Sequence, residues 1–262
     1  MAKLKYTFDD YINNPSGKGS AVLASINKDT YNSELLSLES KNGKTKYDVY
    51  RQSKIGGNVV YFIHFQIPSS TTKGFFHDVV IEFTPNPKDS ITDKTIKKYH
   101  VRFFCNDDNF VYTYAYAFKS HGVLINELEK LLPFRSISQK PTMRNPDNAM
   151  GYNKSIIFAY LIMNRDNLFL KDNLSRISKN AGINAIKNNI KSFDKKNQER
   201  NKITQEIKNN DKKDDKTKKS KIVKSKNLLG DIGHQPLPKI TKITGNTKLV
   251  KKISGVKKAK KR

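Results

Sequence analysis

Tryptophan is absent, and cysteine occurs once, at Cys105. A single thiol excludes an intramolecular disulfide and a cysteine-built zinc centre, and fits a reducing compartment or an assembly made in one. No uncharged apolar run approaches the roughly 18 residues of a membrane-spanning helix, so a soluble chain is expected. The opening Met-Ala-Lys-Leu-Lys-Tyr-Thr has no apolar stretch of the kind a signal peptide needs, and none is expected. Neither a Gly-x-Ser-x-Gly elbow nor a Gly-rich phosphate loop occurs; Gly56-Gly57 stands alone.

Acidic residues are scarce where basic ones crowd. The 262 residues carry 50 Lys+Arg against 24 Asp+Glu, a formal net charge of +26. Residues 1–170 hold 22 basic and 16 acidic residues, net +6, whereas 171–262 hold 28 and 8, net +20. Of 26 Phe and Tyr, only Phe193 lies beyond position 170. A segment with that charge and one aromatic ring buries too little apolar surface to offset its ordering entropy. The first 170 residues are long enough to hide roughly 70% of their unfolded surface. The expected division is therefore a folded domain over 1–170, a basic connector over 171–208 with loosely helical spacing, and an extended or disordered Lys-rich tail over 209–262.

Hydrophobic periodicity predicts an α+β fold: an antiparallel sheet of about four to five strands with flanking helices, followed by the long basic tail. Thr7 and Asp10 form a capping-box pattern ahead of a short helix through Phe8, Tyr11 and Ile12. A helix is predicted over 20–38, with Val22, Leu23, Ile26, Leu35 and Leu36 as its apolar side. Strands are predicted at 45–52, 58–67, 76–84 and 97–105, joined as a meander. In the second, Val59, Tyr61, Ile63, Phe65 and Ile67 share a face; in the third, Asp78, Val80 and Glu82 lie opposite Val79, Ile81 and Phe83. Residues 109–118 fit a strand through Tyr112, Tyr114, Tyr116 and Phe118, and a helix through Val111, Tyr114, Ala115 and Phe118. Leu124, Leu128, Leu131 and Leu132 mark a short amphipathic helix, 134–152 a loop, and 153–163 a buried helix.

The densest chemistry lies in the tail. Lys218, Lys219, Lys221, Lys224 and Lys226 form one basic block; Lys251, Lys252, Lys257, Lys258, Lys260, Lys261 and Arg262 form a second, free of acid. Cations in such a run neutralise phosphates and release condensed counterions, which binds nucleic acid without regard to sequence. Lysine outnumbers arginine, which favours point-charge neutralisation over bidentate base reading. No aromatics interleave, so base stacking is not expected, and the bulky anchors of a membrane-surface segment are missing. Between the blocks, Leu228, Leu229 and Ile232 make an apolar island suited to docking.

Catalytic signals are weak. Asp78 and Glu82 share a strand face about 13 Å apart, too far to hold one metal without a bend. Asp107-Asp108 reads as a turn, and His64, His77, His100, His121 and His234 show no metal-ligand spacing. No catalytic residue, metal or cofactor is assigned; a metal-dependent nucleic-acid enzyme stands as a distant alternative.

Three stretches carry a resemblance: Tyr6–Val22 (Tyr-Thr-Phe-Asp-Asp-Tyr-Ile-Asn-Asn-Pro onward), Val101–Phe118 (Val-Arg-Phe-Phe-Cys-Asn-Asp-Asp onward) and Asn145–Leu161 (Asn-Pro-Asp-Asn-Ala-Met-Gly-Tyr onward). Together they resemble a group of tailed-bacteriophage virion proteins from low-GC hosts, which tend to carry a Lys-rich C-terminus. The resemblance covers the folded part and includes no catalytic motif. It implies a non-enzymatic structural role in the virion, in the head interior or at the head–tail junction, after assembly in the host cytoplasm. The implied partners are other virion proteins of the capsid or portal region, further copies of this chain, and packaged double-stranded DNA. A non-virion accessory protein of the nucleoid or of replication is the alternative that composition leaves open.

Overall fold

The structure is a computed structural model that describes residues 6–13, 26–53, 58–86, 94–192 and 195. The described residues belong to one compact unit spanning Met1–Lys202. Its helices are α1 (Phe8–Asn13), α2 (Lys28–Asn42), α3 (Ala115–Ser120), α4 (Phe134–Ser138), α5 (Lys154–Arg165), α6 (Lys171–Ile177) and α7 (183–192). Its strands are β1 (Lys46–Ser53), β2 (Val59–Pro68), β3 (Phe76–Thr84), β4 (His100–Cys105) and β5 (Lys179–Asn180).

The result is an α+β fold built on one mixed five-stranded sheet in the order β4-β3-β2-β1-β5. The first four strands form the expected antiparallel meander, and β5 joins β1 in parallel, Tyr50 opposite Lys179. β2 and β3 are central and buried along almost their whole length. Odd-numbered residues of β2 face α1, α5 and α6. Phe8 of α1 lies 5.5 Å from the Phe83 ring, α5 packs on β2 and β3, and Tyr61 Oη is 2.7 Å from Ser175 Oγ of α6. Even-numbered residues face α7 and the 3-10 turn Asn126–Leu131.

Local chemistry explains the boundaries. The Thr7 hydroxyl and backbone N–H both donate to Asp10 Oδ2, at 2.7 and 2.9 Å, and Asp10 N–H returns a bond to Thr7 Oγ1. The capping box is thus formed as its pattern predicts. α2 begins at Lys28 rather than residue 20, because Asn27 takes the Thr30 N–H and sets the cap there. Ile26 consequently precedes the helix, Leu35 is buried and Leu36 is exposed; Val22 and Leu23 lie outside the described residues. β4 starts at His100 because the backbone before it bonds elsewhere: Tyr99 N–H turns back to the Ile96 carbonyl, and the Lys97 and Tyr99 carbonyls accept from Asp9 and Phe8 N–H.

Residues 110–120 are helical, opening with a π-turn over Phe110–Tyr114 before α3. Asp107 selects the helix: its side chain accepts from Asn109 N–H and its carbonyl from Val111 N–H. Asn145 Nδ2 donates to the Thr113 carbonyl in the widened turn and also to Ala149. The stretch read as a loop, 134–152, begins with the short helix α4 and is then irregular, organised around that asparagine. α5 is capped by Asn153 and buries nine consecutive residues, Ser155–Met163.

The core does not stop at residue 170: Leu174, Ile186 and Ile190 are fully buried. An aromatic cluster fills the centre, with Tyr11 against Phe103 at 4.4 Å and Phe118 edge-on to Phe103 and Phe110. We expect Phe103→Ala to cost about 3–5 kcal/mol through the cavity it leaves. Thr7→Ala should cost only about 1 kcal/mol through loss of the cap. Urea midpoints of the two variants measure the ranking.

Candidate functional site

The tail positions expected to bind nucleic acid, from Lys218 through Arg262, lie outside the described residues, as do Leu228, Leu229 and Ile232. The same holds for His234. Chemistry within the described unit gathers instead on the even-numbered face of the sheet.

Two polar clusters are set into that face. His64 Nε2 and Asp78 Oδ1 are 2.7 Å apart, and both side chains are almost fully buried. The pairing follows from register: Gln66 stands opposite Asp78, so His64 sits on the diagonal, two residues along the same face. Asn106 completes the arrangement, donating from Nδ2 to Asp78 Oδ2 and accepting the Asp78 N–H at 2.7 Å. In the second cluster Glu82 stands directly opposite Arg102, whose Nη2 reaches its carboxylate at 2.7–2.8 Å; Thr84 Oγ1 donates to the same group. Burial pulls the Arg102 pKa down, but the Glu82 and Glu127 carboxylates outweigh it and hold the guanidinium above its ordinary value.

His64 also floors an open cleft of about 410 Å³ between β1, β2 and α7, lined by Lys46, Tyr47, Asp48, Gln66, Asn189 and Ser192. Asn189 Nδ2 donates to Tyr50 Oη, which ties α7 to the sheet at this point. Burial first, and the Asp48 carboxylate second, raise the Tyr50 hydroxyl pKa, so it stays protonated as a donor. Asp48 itself accepts from Lys179 Nζ at 2.5 Å. The donors left facing the cleft are Lys46, Gln66, Ser192 and the amide of Asn189. Ser192 makes no hydrogen bond to His64, and among the described residues no hydroxyl or thiol bonds to the pair. The arrangement can hold a polar or anionic group.

The acids considered for catalysis are thereby placed. Asp78 and Glu82 share a face as expected, but each is held by its own partner. Asp107 accepts from Ser155 Oγ at 2.7 Å and caps the π-turn, while Asp108 is exposed. No group of three His, Cys, Asp or Glu among the described residues is placed to hold a metal ion. None of their helices is long and apolar enough to cross a membrane. Cys105 is fully buried, and burial, reinforced by the Asp107 charge, pushes its thiol pKa far up.

Sequence reasoning noted both His64 and Asp78 but did not join them. The signal that joins them is the seven-residue link 69–75 between two strong strands, which fixes the antiparallel register and hence the diagonal. The cleft itself needs α7, which periodicity alone does not place.

Removing His64 leaves Asp78 buried with Asn106 as its remaining side-chain partner, so His64→Ala should cost about 3 kcal/mol. Replacing both by Leu should cost less than the single change, because no uncompensated buried group remains. Equal costs in urea unfolding would show the two side chains to be uncoupled. Cys105 should resist iodoacetamide in the native protein at mildly alkaline pH, because a raised pKa keeps it a thiol, and should label fully in denaturant.

Comparison of the chain with protein-family models, curated proteins and solved structures found no match in any of the three.

Proposed function

We propose that this chain is a non-enzymatic structural protein of a tailed-bacteriophage virion, placed in the head interior or the head–tail region. Its folded unit docks among the other proteins of the particle, and its Lys-rich C-terminal region grips packaged DNA without sequence preference. The observation that carries the reading is the segregation of charge: net +20 beyond residue 170 against +6 before it. Packaged DNA is a dense polyanion, and a polycation tethered beside it acts at high effective concentration. The structural role rests on the resemblance of the three stretches described above. In support of a non-enzymatic role, Asp78, Glu82 and Asp107 each serve a neighbouring structural group.

Two measurements test the proposal. Binding of the full chain to a random-sequence duplex should weaken roughly 10³–10⁵-fold between 50 and 200 mM salt, as six to ten phosphate contacts require. Gln at the twelve tail cations from Lys218 to Arg262 named above should remove most of that dependence. Salt-independent binding, or none, would overturn the polyanion reading. Purified particles should contain the chain at stoichiometric copy number; its confinement to the unassembled host fraction would instead favour a nucleoid or replication accessory protein.

A further inference from the structure

Register sets the polar groups of the even-numbered face in rows. Lys46, Gln66 and Asp78 stand side by side across β1, β2 and β3, and Asp48 and His64 stand side by side in the next row. Lys46 and His64 are therefore diagonal neighbours, roughly 7 Å apart and within reach of one small ligand. The cleft of about 410 Å³ opens over these rows, with Asn189 and Ser192 of α7 on its other wall.

His64 is the unusual member of this lining. Its side chain is only 4% exposed, yet it lines the cleft. Nε2 lies 2.7 Å from Asp78 Oδ1, and Asn106 holds Asp78 through two further bonds, so the ring is anchored at that edge. A carboxylate only accepts. Nε2 thus carries the ring hydrogen, and the neutral imidazole presents Nδ1 as a lone pair. Nδ1 makes no hydrogen bond to a described residue. Nor is it sealed in like Nδ1 of His77 and of His100, which are buried without a partner, so its lone pair opens on the cleft.

The fixed charges around this space cancel. Lys179 neutralises Asp48, and the positive Lys46 is matched by the negative Asp78. A plain dianion gains little from such a field. The ligand that fits has charged oxygens for Lys46, Gln66 and Ser192, and an O–H of its own for the Nδ1 lone pair. Phosphate and its monoesters have both. Sulfate at neutral pH has the oxygens alone, and a site with a fixed acceptor rejects an analogue that lacks the matching hydrogen.

We propose that the cleft between β1, β2 and α7 binds a phosphate group that retains a hydrogen, its O–H donating to His64 Nδ1 and its charged oxygens meeting Lys46, Gln66 and Ser192. The site goes beyond the DNA-gripping role and does not depend on it, because a backbone phosphodiester has no such hydrogen. Inorganic phosphate, a phosphorylated small molecule and a phosphorylated strand end share this chemistry.

The test follows the ring nitrogens of His64 in the 15N-labelled full chain by long-range 1H–15N correlation at neutral pH, with assignment by their loss in His64→Gln. Reading the ring itself separates this site from the region beyond residue 170, whose net charge of +20 attracts any anion. Before titration the ring should be the Nε2–H tautomer. Sodium phosphate should then shift the Nδ1 resonance to saturation, and sulfate at equal ionic strength should bind at least about tenfold more weakly. Lys46→Gln and Ser192→Ala should each weaken phosphate by roughly three- to tenfold, and Lys28→Gln should not. Unchanged urea midpoints show that these substitutions act on binding and not on folding. Thymidine 5′-monophosphate and a 5′-phosphorylated oligonucleotide, each against its unphosphorylated counterpart, distinguish a small ligand from a strand end; no gain in either leaves inorganic phosphate as the ligand. The inference is overturned if the hydrogen sits on Nδ1, or if phosphate leaves that resonance unmoved. It is equally overturned if sulfate matches phosphate, which would mean an adventitious ion only.

Discussion

The register between β2 and β3 is the constraint on which the rest of the structure depends. Both strands are buried on two faces, so a slip of one residue would carry His64, Asp78 and Glu82 into the aromatic core and expel Ile63, Phe65 and Ile81 from it. Apolar packing alone is nearly indifferent to such a slip, because Val60, Phe62 and Val80 make the other face apolar too. The His64–Asp78 pair removes that degeneracy between β2 and β3, and Glu82–Arg102 does the same between β3 and β4. Each is satisfied only when Gln66 stands opposite Asp78 and Glu82 opposite Arg102. Burying these polar groups costs desolvation energy, and the return is a single arrangement of the central strands.

The edges of the sheet are closed by segments distant in sequence. At β4, Val101 N–H donates to Tyr6, and Phe103 exchanges bonds with Val123 and Ile125. At the far edge, β5 covers Tyr50 and Arg51 of β1. Strand edges covered in this way do not template pairing with other chains. On the helical side, Tyr11 donates to the Gly151 carbonyl and Tyr152 to the Tyr11 carbonyl, joining the first helix to the segment before α5. The same segments that supply the aromatic cluster therefore also seal the sheet.

From this frame the charge distribution gains a direction. Up to residue 170 basic residues exceed acidic ones by only six. From there onward cations outnumber acids and aromatics are nearly absent. α7 serves both regimes: Ile186 and Ile190 complete the core, and Lys187 and Lys191 open the basic region. The cleft beneath it follows from the same docking, since Asn189 reaches Tyr50 and Ser192 lines the cleft together with His64.

Composition and periodicity by themselves determined the α+β class, the four-strand meander, the Thr7–Asp10 cap and the buried α5 helix. Each of these is a local pattern: a period of two, a period near 3.6, or a side chain within hydrogen-bond reach of its own backbone. The charge segregation is equally legible, because it is a count. Tertiary structure alone decided the helical state of 110–120 and the extension of the core through Leu174, Ile186 and Ile190. It also decided the union of His64 with Asp78. The Tyr112–Phe118 alternation was indistinguishable from a helical stripe until Asp107 and Asn145, contacts one turn and some thirty residues away, satisfied the backbone of the helix. The few apolar residues after 170 are too sparse to signal a core segment in one dimension. They become one because the sheet face they cover is already there.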